Sequence, residues 1–453
     1  MTLRCLYVDF NSYFASVEQY DTPGLRGRPV VVAPVMADST CCLAASYEAK
    51  AHGIRTGTGI GEARRRCPGV VVRLARPARY VELHHELMDL IESCAHHDEP
   101  GSIDEVACRL IGQERERGNA EAIARRIKQA LVERNYSPAI RCSIGIAPNA
   151  FLAKTAADMR KPDGLTVIEQ ADLPHALHGL ALTDLCGIGP SMETRLRQAG
   201  IHTVERLCAA PPRELRAIWG GIEGERYWAG LHGIALPARA TSTGSIGHSH
   251  VLGPALRSAE GLRSVAFKLL AKAAMRLRDK QLLAGTLHAH VRFVGMDERL
   301  DAVERFAPLD DTRALLRLLD AMLGPVPALA APARGRRHPP LSVSVTLTDL
   351  QPRAGETAGL FEDPRRAALN AVLDRINARY GNNKLYFAAM QTALEHDAAP
   401  MRIPFQHVPD LATEEEAEGN ALWLAAKNPH NRLAEARHRD RAGGRPAPPP
   451  AAS

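Results

Sequence analysis

The chain has 453 residues and a mass of 49.2 kDa, enough for about three or four domains of ordinary size. Hydrophobic residues make up 45% and charged residues 24%, which excludes a wholly disordered chain, a collagen and a small disulfide scaffold. Lysine and arginine outnumber aspartate and glutamate by 57 to 51, a net charge of +6, and this mild excess permits a nucleic-acid partner without demanding one.

The first residues, MTLRCLYVDFNSYF, put Asp9 where a secretory leader needs an apolar core, so secretion is not expected. No apolar run approaches the roughly 20 residues that span a bilayer. The nine cysteines lie between Cys5 and Cys208, none in a Cys-x-x-Cys pair. Scattered thiols in odd number point to a reducing cytoplasm rather than to a zinc ribbon or a disulfide framework.

Residues 3–10 (LRCLYVDF) alternate, with Leu6, Val8 and Phe10 against Cys5, Tyr7 and Asp9, and so predict a strand that ends in a carboxylate. A helix is expected from residue 12, with Ser12 as its cap. Val30–Val32 is a second short strand. Residues 45–67 are small and basic and hold Gly53, Gly57, Gly59 and Gly61. A helical period covers 80–94. A strand is expected over 100–110, with two adjacent acids, then a helix over 120–133, a strand over 140–147 and a helix over 150–159. This mixture predicts an α+β sheet with helices on one face.

The pattern shifts after about residue 178, and 179–237 read as all-helical. From about 242 strands return, at 286–294 and 341–348, around a long basic helix over 259–281. That helix carries Arg263, Lys268, Lys272, Arg276, Arg278 and Lys280. Residues 242–350 hold 15 Lys/Arg and 10 Asp/Glu, a surplus of 5 in the total of +6. Such a module reads as a footprint for phosphates, or as a solvated helix face. One more helix is expected over 363–379, then an acidic run at 414–418 and a disordered low-complexity tail at 443–453.

Several constellations carry chemistry. Asp9 ends one strand, and Asp104-Glu105 sit in a later one. If those strands are neighbours, three carboxylates gather, and a divalent cation is the natural compensation. Hard carboxylate oxygens suit Mg²⁺; otherwise the three are scattered surface acids. Tyr13-Phe14 can wall off a nucleotide sugar or simply pack a helix start. Tyr47 and Lys50, one helical turn apart, face the same way and can hold triphosphate oxygens, or belong to an ordinary amphipathic helix. Lys161, in DMRKPDG, can reach a phosphate or stand in solvent at a helix end. In LCGIGP (185–190), Gly187 and Gly189 lie between helical segments, the helix-hairpin-helix pattern, whose backbone N–H groups can approach a nucleic-acid phosphate. The pairs His84-His85 and His96-His97 lack the H-E-x-x-H spacing, so zinc is not expected. Cys41-Cys42 read as small buried residues.

Taken in order, YVDFNSYFASVEQ (7–19), SYEAKAHGIRTG (46–57), SIDE (102–105), SIGIAPNAFLAKTAADMRKPDG (143–164) and LCGIGP (185–190) resemble the Y-family translesion DNA polymerases. The resemblance implies two metals on Asp9, Asp104 and Glu105, with the Phe10 backbone carbonyl as a further ligand. It implies a steric gate against ribonucleotides at Phe14, beside Tyr13. It also implies triphosphate contacts from Tyr47, Lys50 and Lys161. The chain departs from the family pattern in places. Asn11 stands where many members have Asp; the UmuC branch carries Asn there too. Lys50 replaces a more common Arg and loses its bidentate fork. Ala44 and Ala45 stand where a hydroxyl is usual. A sliding-clamp motif is reduced to Leu360-Phe361, within residues 357–361. The run SIGHSHVL (245–252) is closer to the UmuC-like subgroup than to polymerase IV.

The expected architecture is a multidomain α+β right hand. The palm spans 1–10 and 78–170, the fingers 11–77, and a helix-hairpin-helix thumb 171–238. A DNA-binding little finger covers 242–350, and a helical, partly disordered tail follows over 351–453. Gly187, Gly189, Arg263, Lys272 and Arg276 are the candidate DNA contacts. The expected activity is DNA-directed nucleotidyl transfer from a dNTP to a primer 3′-OH on a primer-template, with two Mg²⁺. It would be of low fidelity, because a finger region built of small residues checks base-pair shape weakly, and would serve translesion synthesis, DNA repair and the SOS response. The chain would be cytoplasmic and nucleoid-associated. The alternatives are a catalytically silent family member that binds DNA and recruits another polymerase, and, more remotely, a nucleotidyl cyclase that needs no template.

Overall fold

The computed structural model describes residues 3–98, 100–237, 243–326, 338–353 and 364–399, and beyond these Ile403, Phe405 and Val408. The clamp-like segment 357–361, Arg402, Pro404, the acidic run, Trp423 and the tail lie outside the described residues. Contacts divide the chain into two units. One holds the described residues of Met1–Ser242 and of Ile403–Pro409, the other those of Thr243–Arg402.

The strands of the first unit are β1 (Cys5–Phe10), β2 (Val30–Ala33), β3 (Ala44–Ala45), β4 (Val71–Leu74), β5 (Glu105–Arg109), β6 (Cys142–Ala147) and β7 (Leu165–Val167). Its helices are α1 (Tyr13–Asp21), α2 (Tyr47–Lys50), α3 (Ile60–Arg66), α4 (Pro77–Glu92), α5 (Arg117–Glu133), α6 (Ala150–Met159), α7 (Pro190–Gln198), α8 (Val204–Cys208), α9 (Pro212–Trp219) and α10 (Ile222–Leu231). The main sheet has the order β5-β1-β6-β7, with β1 antiparallel to both neighbours and β7 parallel to β6.

Every residue of β1 and β6 is buried. Successive side chains point to opposite faces, so both faces of this sheet are covered, which corrects the expectation of helices on one face alone. Cys5 and Tyr7 pack with Leu152, Ala153 and Ala156 of α6, and the opposite-facing Leu6, Val8 and Phe10 are equally buried. The approach of α6 is close enough to require glycine at position 145: a Cβ there would lie 1.9 Å from the Ala153 carbonyl oxygen. α4 begins at Pro77, three residues earlier than its apolar period suggests, because proline suits the first turn of a helix.

A second, three-stranded sheet has the order β3-β2-β4 over a small core of Val31, Ala33, Cys42, Ile54 and Ile60. Cys42 is buried there but Cys41 is exposed, so only one of that vicinal pair packs as expected. The region of α7–α10 is helical as its sequence suggests. Leu185, Ile188, Leu196, Leu207, Leu215 and Leu231 join the α6 core.

The second unit is an antiparallel sheet of β8 (Ile246–Val251), β9 (Leu282–Phe293), β10 (Arg299–Leu309) and β11 (Pro340–Pro352), in the order β10-β9-β11-β8. α11 (Ala259–Asp279) and α12 (Thr312–Met322) pack on it. α11 is neither a solvated face nor a free basic stripe. Leu262, Val265, Leu269, Leu270, Ala273 and Leu277 drive it into the core, Lys268 is fully buried, and Arg278 bonds Asp374, Thr312 and the Asp310 carbonyl.

Candidate active site

The site grows from the end of β1. Asp9 stands opposite Glu105 across the β1–β5 pair and opposite Ser143 across β1–β6. Gly101 N–H reaches back to the Glu105 carbonyl at 3.1 Å, so residues 101–104 form a turn and β5 begins only at Glu105. Asp104 sits in that turn, and its carbonyl accepts from Phe10 N–H at 2.8 Å. The two acidic segments, far apart in the chain, are thereby neighbours.

Each carboxylate has its own donor. Lys161 Nζ lies 2.7 Å from Asp9 and 2.7 Å from Asp158. Ser102 Oγ donates to Asp104 at 2.7 Å, and Lys154 pairs with Glu105. Burial pushes Asp9 up to about 6, with Lys161 working against it and Asp104 adding to it. Burial likewise raises Asp104, Ser102 opposes, and the Glu105 charge adds to the rise. Burial disfavours the Lys161 ammonium, but Asp9 and Asp158 more than offset it and hold its pKa above the ordinary lysine value. Among the described residues, no three His, Cys, Asp or Glu side chains converge as a ready metal cage. The donor chemistry nevertheless fits a divalent ion. Two carboxyls are raised by burial and like charge, which is the state a hard cation relieves, and ammonium groups already stand on Asp9 and Glu105.

Asn11 explains its own departure from Asp. Its Nδ2 donates to Ser143 Oγ at 2.9 Å, while its Oδ1 accepts from Asp163 N–H at 2.7 Å. An ionised aspartate could accept but not donate here, and the amide ties β1 to β6 and to the turn after Lys161. Ser12 is a correction: it precedes α1 in the left-handed conformation (φ 51°) and makes no side-chain cap. Its hydroxyl accepts from Lys50 Nζ at 2.7 Å instead.

Lys50 also lies 4.3 Å from the centre of the Tyr47 ring. Burial lowers its pKa, and the Lys161 charge adds to that, so Tyr47, Lys50 and Lys161 feel one another's fields. Ser46 does not replace the hydroxyl missing at Ala44 and Ala45. Its Oγ takes the N–H of Val30 at 3.1 Å and caps α2 through Ala49 N–H. Beside Tyr47 is a cavity of about 200 Å³ lined in part by Asn11, Gln19, Arg26 and Arg141. Arg141 has no signal in the sequence, since a single basic residue beside a strand carries no pattern; Lys154 lies within the 143–164 motif, but its pairing with Glu105 is visible only in the fold. Glu18 carries no signal either, since a lone acid in a helix reads as solvent-facing. It is fully buried and takes Arg73, Arg76 and the Tyr80 hydroxyl at 3.1, 2.9 and 3.0 Å.

Phe14 stacks on that Tyr80 at 4.4 Å and 15°, and is only 4% exposed. Tyr13 is buried with its hydroxyl on the Tyr80 carbonyl at 2.8 Å. In the helical region Gly187 has φ 86°, where a side chain would be strained, and Gly189 precedes α7 with Pro190 in its first turn. In the second unit Arg263 forks onto Asp320, Lys272 donates to the Ala399 carbonyl at 2.8 Å, and Arg276 to the Gly247 carbonyl at 2.9 Å. These three bases are held within their own unit. No helix among the described residues is long and apolar enough to cross a membrane.

Comparisons with known proteins bear on this arrangement. Residues 8–158 match the impB/mucB/samB family, and residues 243–360 match the C-terminal domain of that family. The chain is 35% identical over 398 residues to DNA polymerase IV of Moorella thermoacetica, covering 85% of this chain and 96% of that protein. It is 31% identical to DNA polymerase IV of Halorhodospira halophila, covering 78% and 97%. A solved Y-family DNA polymerase chimera of Dbh and Dpo4 shares the fold, with a TM-score of 0.63 at 24% identity over 77% of this chain and 99% of the chimera. The chain belongs to the impB/mucB/samB family, to which it matches over both of its units, and is related to named DNA polymerases IV over most of its length.

Proposed function

We infer that this chain is a template-directed DNA polymerase of translesion synthesis, adding a deoxynucleotide to a primer 3′-OH with loss of pyrophosphate. The observation that carries the reading is the register of Asp9 against Glu105, with Asp104 bonded to Phe10 beside them, in a chain related to named DNA polymerase IV proteins over most of its length. In this reading residues 1–10 and 78–170 are the palm, 11–77 the fingers, 171–238 the thumb and 242–350 the little finger.

Asp9, Asp104, Glu105 and the Phe10 carbonyl would hold two Mg²⁺. Bound there, the ions supply positive charge that acidifies the primer hydroxyl and neutralises the departing pyrophosphate. The chain's own residues do the positioning. Tyr47, Lys50 and Lys161 receive the triphosphate oxygens, and Phe14, held from below by Tyr80, closes the space a 2′-hydroxyl would need. Gly187 and Gly189 offer backbone N–H groups to a DNA phosphate. Lys272 and Arg276, which donate to backbone carbonyls, would add a positive field for DNA phosphates, whereas Arg263 is paired with Asp320 and contributes little. The partners are primer-template DNA and dNTP, with a sliding clamp as a further candidate, and the site of action is the cytoplasm.

Primer extension on a templated duplex with Mg²⁺ tests this, comparing the wild type with Glu105→Ala. Template-dependent extension that disappears in the variant is expected. A folded, DNA-binding wild type that extends nothing would turn the reading towards the recruiting protein. Release of pyrophosphate from a nucleotide with neither primer nor template present would turn it towards a cyclase.

A further inference from the structure

The motif around Phe405 lies beyond residue 360, where the match to the family's C-terminal domain stops, yet it is part of the first unit. Two contacts place it. Its carbonyl accepts from Ile103 N–H at 2.9 Å, and its ring lies against Phe14, centroids 5.6 Å apart at 48°. Its own N–H turns back to the Ile403 carbonyl, two residues earlier, at 3.1 Å. Ile103 directly precedes Asp104, is 2% exposed, and has its carbonyl held by His84 Nδ1 at 2.8 Å. The peptide entering the acidic pair is therefore held on both sides, by His84 and by Phe405.

The ring contact has a direction. Tyr80, fully buried, stacks on Phe14 from the core. Phe405, by contrast, is 46% exposed and meets Phe14 at a tilt rather than stacked. Without Phe405, Phe14 keeps Tyr80 stacked on it and its chain neighbour Tyr13 tilted against it at 6.0 Å. Phe405 adds a further tilted ring from a segment distant in the chain, and each such contact narrows the tilt left to the Phe14 ring.

We propose that Phe405 is a positioning residue for sugar selection: it fixes the Phe14 ring between itself and Tyr80, and so sets how strongly a ribonucleotide is rejected. This deepens the reading of Phe14 as the sugar gate and rests on it. A backbone hydrogen bond to Ile103 registers the segment against the acidic turn, so the placement does not depend on ring contact alone.

The test uses the full-length chain with primer-template DNA and Mg²⁺, and measures kcat/KM for a dNTP and for the matching rNTP. Phe14→Ala is the control for the gate, and Phe405→Ala and Phe405→Tyr test the proposal. Phe405 is half-exposed, so its variants leave the core intact. The expected result is a fall in the dNTP-over-rNTP ratio of about tenfold in Phe405→Ala, the scale an aromatic contact contributes, through gain with rNTP and little change with dNTP. Phe405→Tyr keeps the ring and should keep the ratio. If Phe14→Ala lowers the ratio and Phe405→Ala does not, the proposal is overturned while the gate survives. An equal rise with both nucleotides would overturn it in favour of a segment that merely blocks the site, and an equal fall in favour of a structural prop. If Phe14→Ala itself leaves the ratio unchanged, the gate reading falls and the proposal with it.

Discussion

His84→Asn isolates one buried ring that supports the acidic turn. His84 is 2% exposed, and its Nδ1 faces the Ile103 carbonyl at 2.8 Å, so Nδ1 carries the proton and the neutral ring is the bonded form. Burial lowers its pKa from 6.5 to about 4; the bond to Ile103 resists that, while His85 and His97 add to it. The sign follows from proton uptake. Above about pH 7 the ring is neutral in both the folded and the unfolded chain and contributes no pH dependence. Below 6.5 the unfolded chain takes up a proton that the folded chain refuses until about 4, so stability falls as pH falls. For these two pKa values the loss is about 2 kcal/mol at pH 5 and about 3 kcal/mol at pH 4. Asparagine keeps an amide N–H in reach of the carbonyl and does not titrate. Other titrating groups act on both proteins and cancel in the difference. The assay is urea denaturation at pH 7.5, 6, 5 and 4. A Trp423→Phe background leaves Trp219 and Trp228, both in the first unit, as the reporters. The wild type should lose about 2 kcal/mol relative to the variant between pH 7.5 and 5. Parallel stability curves would refute a neutral, desolvated His84.

Two further substitutions probe the same site. Gly145→Ala places a Cβ 1.9 Å from the Ala153 carbonyl oxygen and 2.4 Å from the Ala157 nitrogen; backbone cannot yield as a side-chain tip does, so a loss of about 3 kcal/mol is expected in urea denaturation. A variant as stable as the wild type would mean that α6 does not approach β6 this closely. Lys161→Ala removes the ammonium shared by Asp9 and Asp158. Its KM for the incoming dNTP should rise about tenfold or more, the scale of a hydrogen bond to a charged group; an unchanged KM with a lower kcat would take Lys161 off the triphosphate.

Local patterns were legible because they are written in adjacent residues. The alternation at Leu6, Val8 and Phe10 gives β1, and the apolar periods over 80–94, 120–133 and 150–159 give α4, α5 and α6 within a few residues. Glycines flanked by helices mark the turn at Gly187. The short or charged strands β3, β4 and β10 were not legible, since their pairing partners supply the order that their own composition does not. The chain alone could name Asp9 and Asp104-Glu105 as acids. That Asp9 faces Glu105 is a matter of register between β1 and β5, set by which faces are buried and not by any motif.

The sequence by itself determined the family resemblance, the main helices and the acids, because each is carried by neighbouring residues. Tertiary structure alone decided which charges are spent. Arg263 reads as a free base until Asp320 is seen beside it, Ser12 reads as a helix cap until Lys50 takes its hydroxyl, and Phe405 reads as part of a tail until it lies on Phe14. In each case the partner is distant in sequence, and a charge, a hydroxyl or a ring acquires its role from the group that burial brings against it.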